Sequence, residues 1–210
     1  VYNPKHFTVS DRAAQLDLID RHPFGTLTTV SAGKLSISTI PLLIGDDRAS
    51  LLGHVARANP HWREFATASD VAVTFVGPHS YISPNWYRSA NMVPTWNYVA
   101  VEVRGRIELL DTRAARLDVV DRLSARHEAR EAEPWRSAKM DPSLRDKLLD
   151  AIVAFRIDIA SIDGKAKLGQ NRIPDDVRAA AAALLARASE AAEHRLAALM
   201  IEAIEPSASQ

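Results

Sequence analysis

Three short runs near the start of the chain, FGTLTTV (24–30), LSISTIPLLI (35–44) and ASLLGHVA (49–56), are rich in β-branched and aliphatic residues. They are separated only by SAGK and GDDR. Gly- and Asp-bearing breaks this short mark hairpins, and a hairpin can join antiparallel strands only. This region therefore cannot build a parallel sheet with helical crossovers. Pro60 sits where the first turn of a helix would begin, and HWREFATA continues it with Trp62, Phe65 and Ala66 on one side. Strand-like DVAVTFV (70–76) and a long strand over 97–110 follow, with Gly105 as a bend or bulge. About six strands, tight turns and one helical crossover predict a small antiparallel barrel.

The flanks read as helices. Thr8 to Asp11 forms a capping-box pattern before an amphipathic helix with Ala13, Leu16 and Ile19, stopped by Pro23. Asp111 and Thr112 cap a helix carrying Leu117, Val120 and Leu123. Asp141 and Pro142 start another, with Leu144, Leu148 and Ile152 facing inward. The polar run HEAREAEPWRSAKM between them reads as a mobile loop. IVAFRIDIASI (152–162) returns to the sheet and ends at Asp163 and Gly164. A single helix from Pro174 to about Ala203 completes the chain, with Val177, Leu184, Leu185, Leu196 and Leu199 buried.

Composition removes several functions. Lys and Arg together balance Asp and Glu at 26 each, with a pI near 7.2, which argues against a general affinity for nucleic acid or anionic membrane. No cysteine is present, so disulfides, thiolate zinc sites and a Cys nucleophile are excluded. His54 and His61 lack helical two-ligand spacing, and no metal site is expected. There is no GxSxG, P-loop or GxGxxG. With no apolar run long enough to span a bilayer, the expected setting is soluble and cytoplasmic.

The chemistry-bearing stretches lie elsewhere. Residues 77–101, GPHSYISPNWYRSANMVPTWNYVAV, crowd Trp, Tyr, Asn and Pro between two strands. Such a stretch suits a flat, partly polar ligand, and it equally suits a barrel end sealed by aromatics. Segments 36–41, 54–61 and 164–172 crowd hydroxyls, amides and cations. GKAKLGQNR reads either as an anion site or as a solvated loop.

Five stretches, VYNPKHF, LLGHVARANPHW, GPHSYISPNWY, VPTWNYVAVEVRG and GKAKLGQNR, occur in this order. In this the chain resembles the PaiB-type FMN-binding negative transcriptional regulators, in register from residue 2 to about 172. The resemblance implies an antiparallel split β-barrel, related to pyridoxamine-phosphate oxidases and flavin reductases, with peripheral helices and a C-terminal helix. It implies a split-barrel flavin-binding domain over 1–172, with a helical insertion at about 112–151. Residues 173–210 are then a C-terminal helix and tail packed on the same domain. It further implies a homodimer with FMN between subunits. Residue by residue, it places Ser38 and Thr39 in the strand beside the flavin, and His54, Ala56, Arg57 and Asn59 in the H-V-A-R-x-N segment near the phosphate. Trp96 and Asn97 match a T-W-N-Y strand start presented across the dimer. Lys167, Gln170, Asn171 and Arg172 match a K-L-x-Q-N-R signature, in which Gly169 stands where many members have Ser.

Function divides three ways on this reading. The family implies an FMN-binding repressor, but neither a helix-turn-helix nor a basic helix face supports DNA contact. The alternative is a flavin-dependent oxidoreductase acting on a small molecule or haem. A flavin- or haem-binding module without turnover is the third.

Overall fold

The computed structural model describes residues 2–67 and 70–205. In chain order the elements are β1 (Thr8–Val9), α1 (Arg12–Arg21), β2 (Phe24–Ser31), β3 (Lys34–Pro41), β4 (Leu43–Ile44) and β5 (Ser50–Ala56). Then come β6 (Val71–Ile82), β7 (Thr95–Leu110), α2 (Arg113–His127), α3 (Pro142–Asp150), β8 (Ile152–Lys167), α4 (Pro174–Arg187) and α5 (Ala191–Glu202). They fall into two compact units. The first comprises the described residues of Val1–Leu18, Val76–Val101 and Asp163–Gln210; the second comprises those of Ile19–Phe75 and Glu102–Ile162.

The second unit holds β2 to β5 and part of each of β6, β7 and β8. The sheet runs in the order β3-β2-β6-β7-β8-β5-β4, with β2 antiparallel to β3 and β6, and β5 antiparallel to β4 and β8. The two ends of that order, β3 and β4, are separated in sequence by Leu42 alone. Two Cα steps span at most about 7 Å. The sheet must therefore curl round until its ends are neighbours without being paired, which is an open, split barrel. The hairpin punctuation works as its composition predicts. Ala32 and Gly33 both have positive φ, 49° and 75°, the type I′ geometry that matches strand twist. In the second turn Arg48 has φ 53°, and Asp47 accepts from Ala49 N and Ser50 Oγ.

Alternation along β5 and β8 separates two faces. Leu51, Val55, Phe155 and Ile157 are buried, and Phe155 meets Phe65 edge-on at 5.2 Å. Leu52 and Ala154 point the other way and pack on Val119 and Leu123 of α2. The crossover after β5 is a 3-10 helix, Pro60–Glu64, capped by Asn59. The last residue of HWREFATA, Ala68, lies outside the described residues. In α3 the inward face differs from expectation. Leu149 is buried while Leu144 and Leu148 are half exposed, and Arg113 of α2 pairs with Asp146 and Asp150, both at 3.0 Å. The stretch 127–140 forms a strap held by local bonds, Glu128 Oε2 accepting from Trp135 N and Lys139 Nζ donating to Pro134 O, with Ser137 buried. At Gly105 the neighbouring backbone approaches closely: a Cβ there would stand 2.0 Å from Asp158 O.

In the first unit a core of Ile82, Val99, Leu168, Val177, Leu184, Leu196 and Met200 joins the sheet to α4 and α5. The C-terminal helix expected as one rod is two. Glu190 is extended, and Glu193 accepts from Ser189 N at 3.1 Å and from Ser80 Oγ at 3.2 Å, capping a fresh helix start. Leu185 is correspondingly half exposed. Thr8 belongs to strand β1, paired with Lys165 of β8, so the cap of α1 is Asp11 alone, whose Oδ2 accepts from Ala14 N. β6 continues through Ile82 and β8 through Lys167, beyond their expected ends. Residues 206–210 of the expected tail lie outside the described residues.

Candidate functional site

Within the first unit β6, β7 and β8 lie side by side, and alternation gives them two unlike faces. One face, with Ile82, Val99 and Leu168, is buried against α4 and α5. The opposite face carries His79 and Tyr81 from β6, Trp96 and Tyr98 from β7, and Lys165 and Lys167 from β8. Trp96 is 53% and Tyr81 41% exposed. His79 stacks on Trp96 at 6.0 Å and 29°, and Tyr81 meets Trp96 edge-on at 6.5 Å. Lys165 Nζ lies 5.5 Å from the Tyr98 ring centroid and donates to Tyr2 O. Lys167 Nζ donates to Thr95 Oγ1. Among the described residues neither lysine has a carboxylate within ion-pair distance. The result is an exposed aromatic patch, with His79 near-parallel to Trp96 and Tyr81 edge-on to it, bordered by two cations without a carboxylate partner. Such a face can hold a planar ring system that ends in an anion.

Of the residues expected at the site, Trp96 and Lys167 lie on this face. Asn97 is buried on the opposite one. Gln170 folds back onto β8, accepting from Leu168 N and donating to Ala166 O. Asn171 is exposed, and Arg172 leans over Tyr87, 5.7 Å from its ring centroid, with Met92 Sδ 3.8 Å away. Gly169 has φ 97°, a conformation that disfavours a serine in its place. Lys165, His79 and Tyr81 are not among the expected cofactor-binding residues. The i, i+2 spacing of Lys165 and Lys167 in a β-run is the signal that would have found the first.

The remaining six candidates lie in the second unit. Ser38 is buried inside a directed hydrogen-bond chain that centres on His61, itself 3% exposed. Asn59 Nδ2 donates to Ser38 Oγ at 3.0 Å, and Ser38 Oγ lies 2.8 Å from His61 Nδ1. His61 Nε2 lies 2.9 Å from Thr29 Oγ1, which donates to Glu64 Oε2 at 3.3 Å. With Thr29 donating to Glu64, His61 Nε2 carries a proton, and in the neutral ring Nδ1 then accepts the Ser38 hydroxyl proton. Burial agrees, pushing the His61 pKa down against the opposing pull of Glu64. Bonds from Ser36 first, then Thr29, and the nearby Lys34 hold Glu64 below the ordinary carboxylate value. Thr39 is exposed on the other face of β3, and Ala56 is exposed at the end of β5. Arg57 is committed to backbone: Nε donates to Asp150 O at 2.7 Å and Nη2 to Ile152 O at 2.9 Å, closing the end of α3. His54 shares the face of Leu52 and borders a cavity under α2 and α3. Among the described residues no group of His, Asp and Glu could hold a metal, and no helix is long and apolar enough to cross a membrane.

Comparison with known proteins places this architecture. The family model described as "Putative FMN-binding domain" matches residues 1–161. The protein named protease synthase and sporulation protein PAI 2, from Bacillus subtilis, is 37% identical over 180 residues, covering 84% of this chain and 85% of that protein. The FAD and heme binding protein from Mycobacterium smegmatis superposes with a TM-score of 0.60 at 21% identity, covering 76% of this chain and 73% of that one. The flavocytochrome Anf3 from Azotobacter vinelandii gives 0.59 at 15% identity, over 76% and 69%. At those identities the two structures speak to the fold alone, and they share it. Split barrel, ordered motifs and family match agree: this chain belongs to the FMN-binding split-barrel family that includes the Bacillus subtilis protein.

Proposed function

We propose that the protein binds FMN on the exposed face of β6, β7 and β8. The isoalloxazine lies against Trp96, His79 and Tyr81, and Lys165 and Lys167 receive the phosphate. The observation that carries this is the pair of lysines without carboxylate partners beside an exposed, stacked tryptophan. The residues suit the group, since a flavin needs one flat apolar support and its phosphate needs charge-assisted donors. When bound, FMN supplies hydride or electron transfer, and this chain's part is to hold and orient it.

Of the two outputs, flavin-dependent oxidation or reduction of a small molecule is favoured over direct repression. Arginines that could form a DNA-binding stripe are already neutralised within the chain: Arg122 by Asp46, Arg126 by Asp20, Arg156 by Asp47 and Asp158, Arg195 by Glu202. Few counterions would be released on DNA, so binding to duplex is weak and salt-sensitive. A tight, sequence-specific shift by pure protein at physiological salt would overturn this choice and restore the repressor.

Association as a homodimer completes the proposal. The outward face of β2 and β3 carries an apolar row: Val30, Leu35 and Ile37 are 53%, 57% and 58% exposed, while Leu27 and Ser38 point in. A row of this kind on an edge strand calls for a partner surface, and a second copy supplies one.

A further inference from the structure

One cavity in the second unit has no part in the flavin proposal. It measures about 410 Å³ and lies beneath α2, α3 and the 127–140 strap. That is at the small end of the usual range for ligand cavities, about 300–1,000 Å³. Leu117 and Val120 of α2, Leu148 and Leu149 of α3, and Trp135 and Met140 of the strap make its walls apolar. Three polar side chains interrupt them, His54 from β5, Ser137 of the strap and Arg145 from α3. Two of these have a buried nitrogen without a hydrogen-bond partner, Nδ1 of His54 and Nε of Arg145. The nearest carboxylate oxygen to Arg145 Nε, Asp146 Oδ1, stands 4.0 Å away, beyond hydrogen-bonding reach.

We infer that this cavity binds a small monocarboxylate with an apolar body, the carboxylate seated between Arg145 and His54. Buried polar atoms left unpaired are costly and uncommon, so two such nitrogens beside one apolar cavity call for a polar partner, and Arg145 Nε, a donor only, calls for an acceptor. Arg145 supplies one permanent positive charge and a directed N–H. Burial lowers the His54 pKa, so the imidazole is neutral near pH 7 and adds a donor, in its Nδ1–H tautomer, without a second charge. One charge and two donors fit a carboxylate. A phosphate dianion would need more of both. The apolar walls then fit an aryl or short alkyl body, and Trp135 can stack on an aryl ring.

The test is calorimetric titration of the full chain with 4-phenylbutyrate and with 4-phenylbutanol, which has the same body without the charge. The acid should bind saturably with a dissociation constant on the order of tens to hundreds of micromolar. It should shift Trp135 emission and bind at least about tenfold more tightly than the alcohol. R145Q should lose about tenfold in affinity for the acid while leaving FMN binding unchanged. L148W, at the half-exposed rim, should fill the cavity and block the acid, which keeps the test open if R145Q does not fold. No saturable binding by the wild type, equal affinity for acid and alcohol, or full affinity in L148W would overturn the assignment. Loss of FMN binding with phenylbutyrate binding intact would sink the flavin proposal alone.

Discussion

Ser38 Oγ sits 2.8 Å from His61 Nδ1, and through that contact a hydroxyl in the middle of β3 is tied to a histidine of the crossover after β5. The pair forms the centre of a chain from Asn59 to Glu64, and Ser38 can donate to Nδ1 only while His61 is neutral. Burial lowers the folded pKa of His61 below its ordinary 6.5. A lowered folded pKa means that stability is fully present above 6.5 and is lost as pH falls through the folded value, because the unfolded chain takes up the proton first. Chemical denaturation should show this loss below pH 6.5. H61N should flatten the part due to His61, leaving the contribution of His54, whose pKa is lowered by burial as well. An unchanged pH profile in H61N would refute the neutral-histidine reading.

At Gly105 the prediction is steric. A Cβ would lie 2.0 Å from Asp158 O, a backbone atom that cannot rotate away. Gly105→Ala should cost about 2–4 kcal/mol, since adjacent strands must separate to admit it. Thermal unfolding with no loss would show that the strands have slack there.

Arg57→Ala removes two bonds to the carbonyls that end α3 and begin β8. The loss should be about 1–2 kcal/mol of stability, lower than for a fully buried pair because the group is partly solvated. FMN and riboflavin affinities should change together if at all. A selective loss of FMN would instead make Arg57 a phosphate ligand.

Ile37→Glu places a charge in the outward apolar row of β3. Light scattering should show the dimeric mass of the wild type replaced by a monomeric one, with the far-UV spectrum retained. A wild type that is monomeric at working concentration would remove this interface.

The legible parts of this fold are those encoded locally. SAGK and GDDR announce two turns because positive φ at Gly33 and an acceptor at Asp47 are local demands. Thr112 and Asp141 cap the helices they precede for the same reason. What escaped depends on distant partners. Thr8 reads as a cap until Lys165 claims it as a strand. Ser189 and Glu190 are compatible with continuous helix, and the break there relies on Glu193, which is also bonded to Ser80. The site divides in the same way. Trp96 and Lys167 stand in motifs and Lys165 two residues before Lys167 in the same run, whereas the stacking of His79 on Trp96 emerges only once β6 and β7 are side by side.

The central claim is that Trp96 and the two lysines hold FMN, and titration of FMN and riboflavin into wild type, W96A and K167A tests it most directly. The wild type should bind FMN saturably at micromolar concentrations, about −8 kcal/mol. K167A should weaken FMN by roughly tenfold to a hundredfold, the worth of one charge-assisted contact, with little effect on riboflavin. W96A should weaken both ligands alike. The account is contradicted if the wild type shows no saturable FMN binding, or if both variants bind FMN as the wild type does.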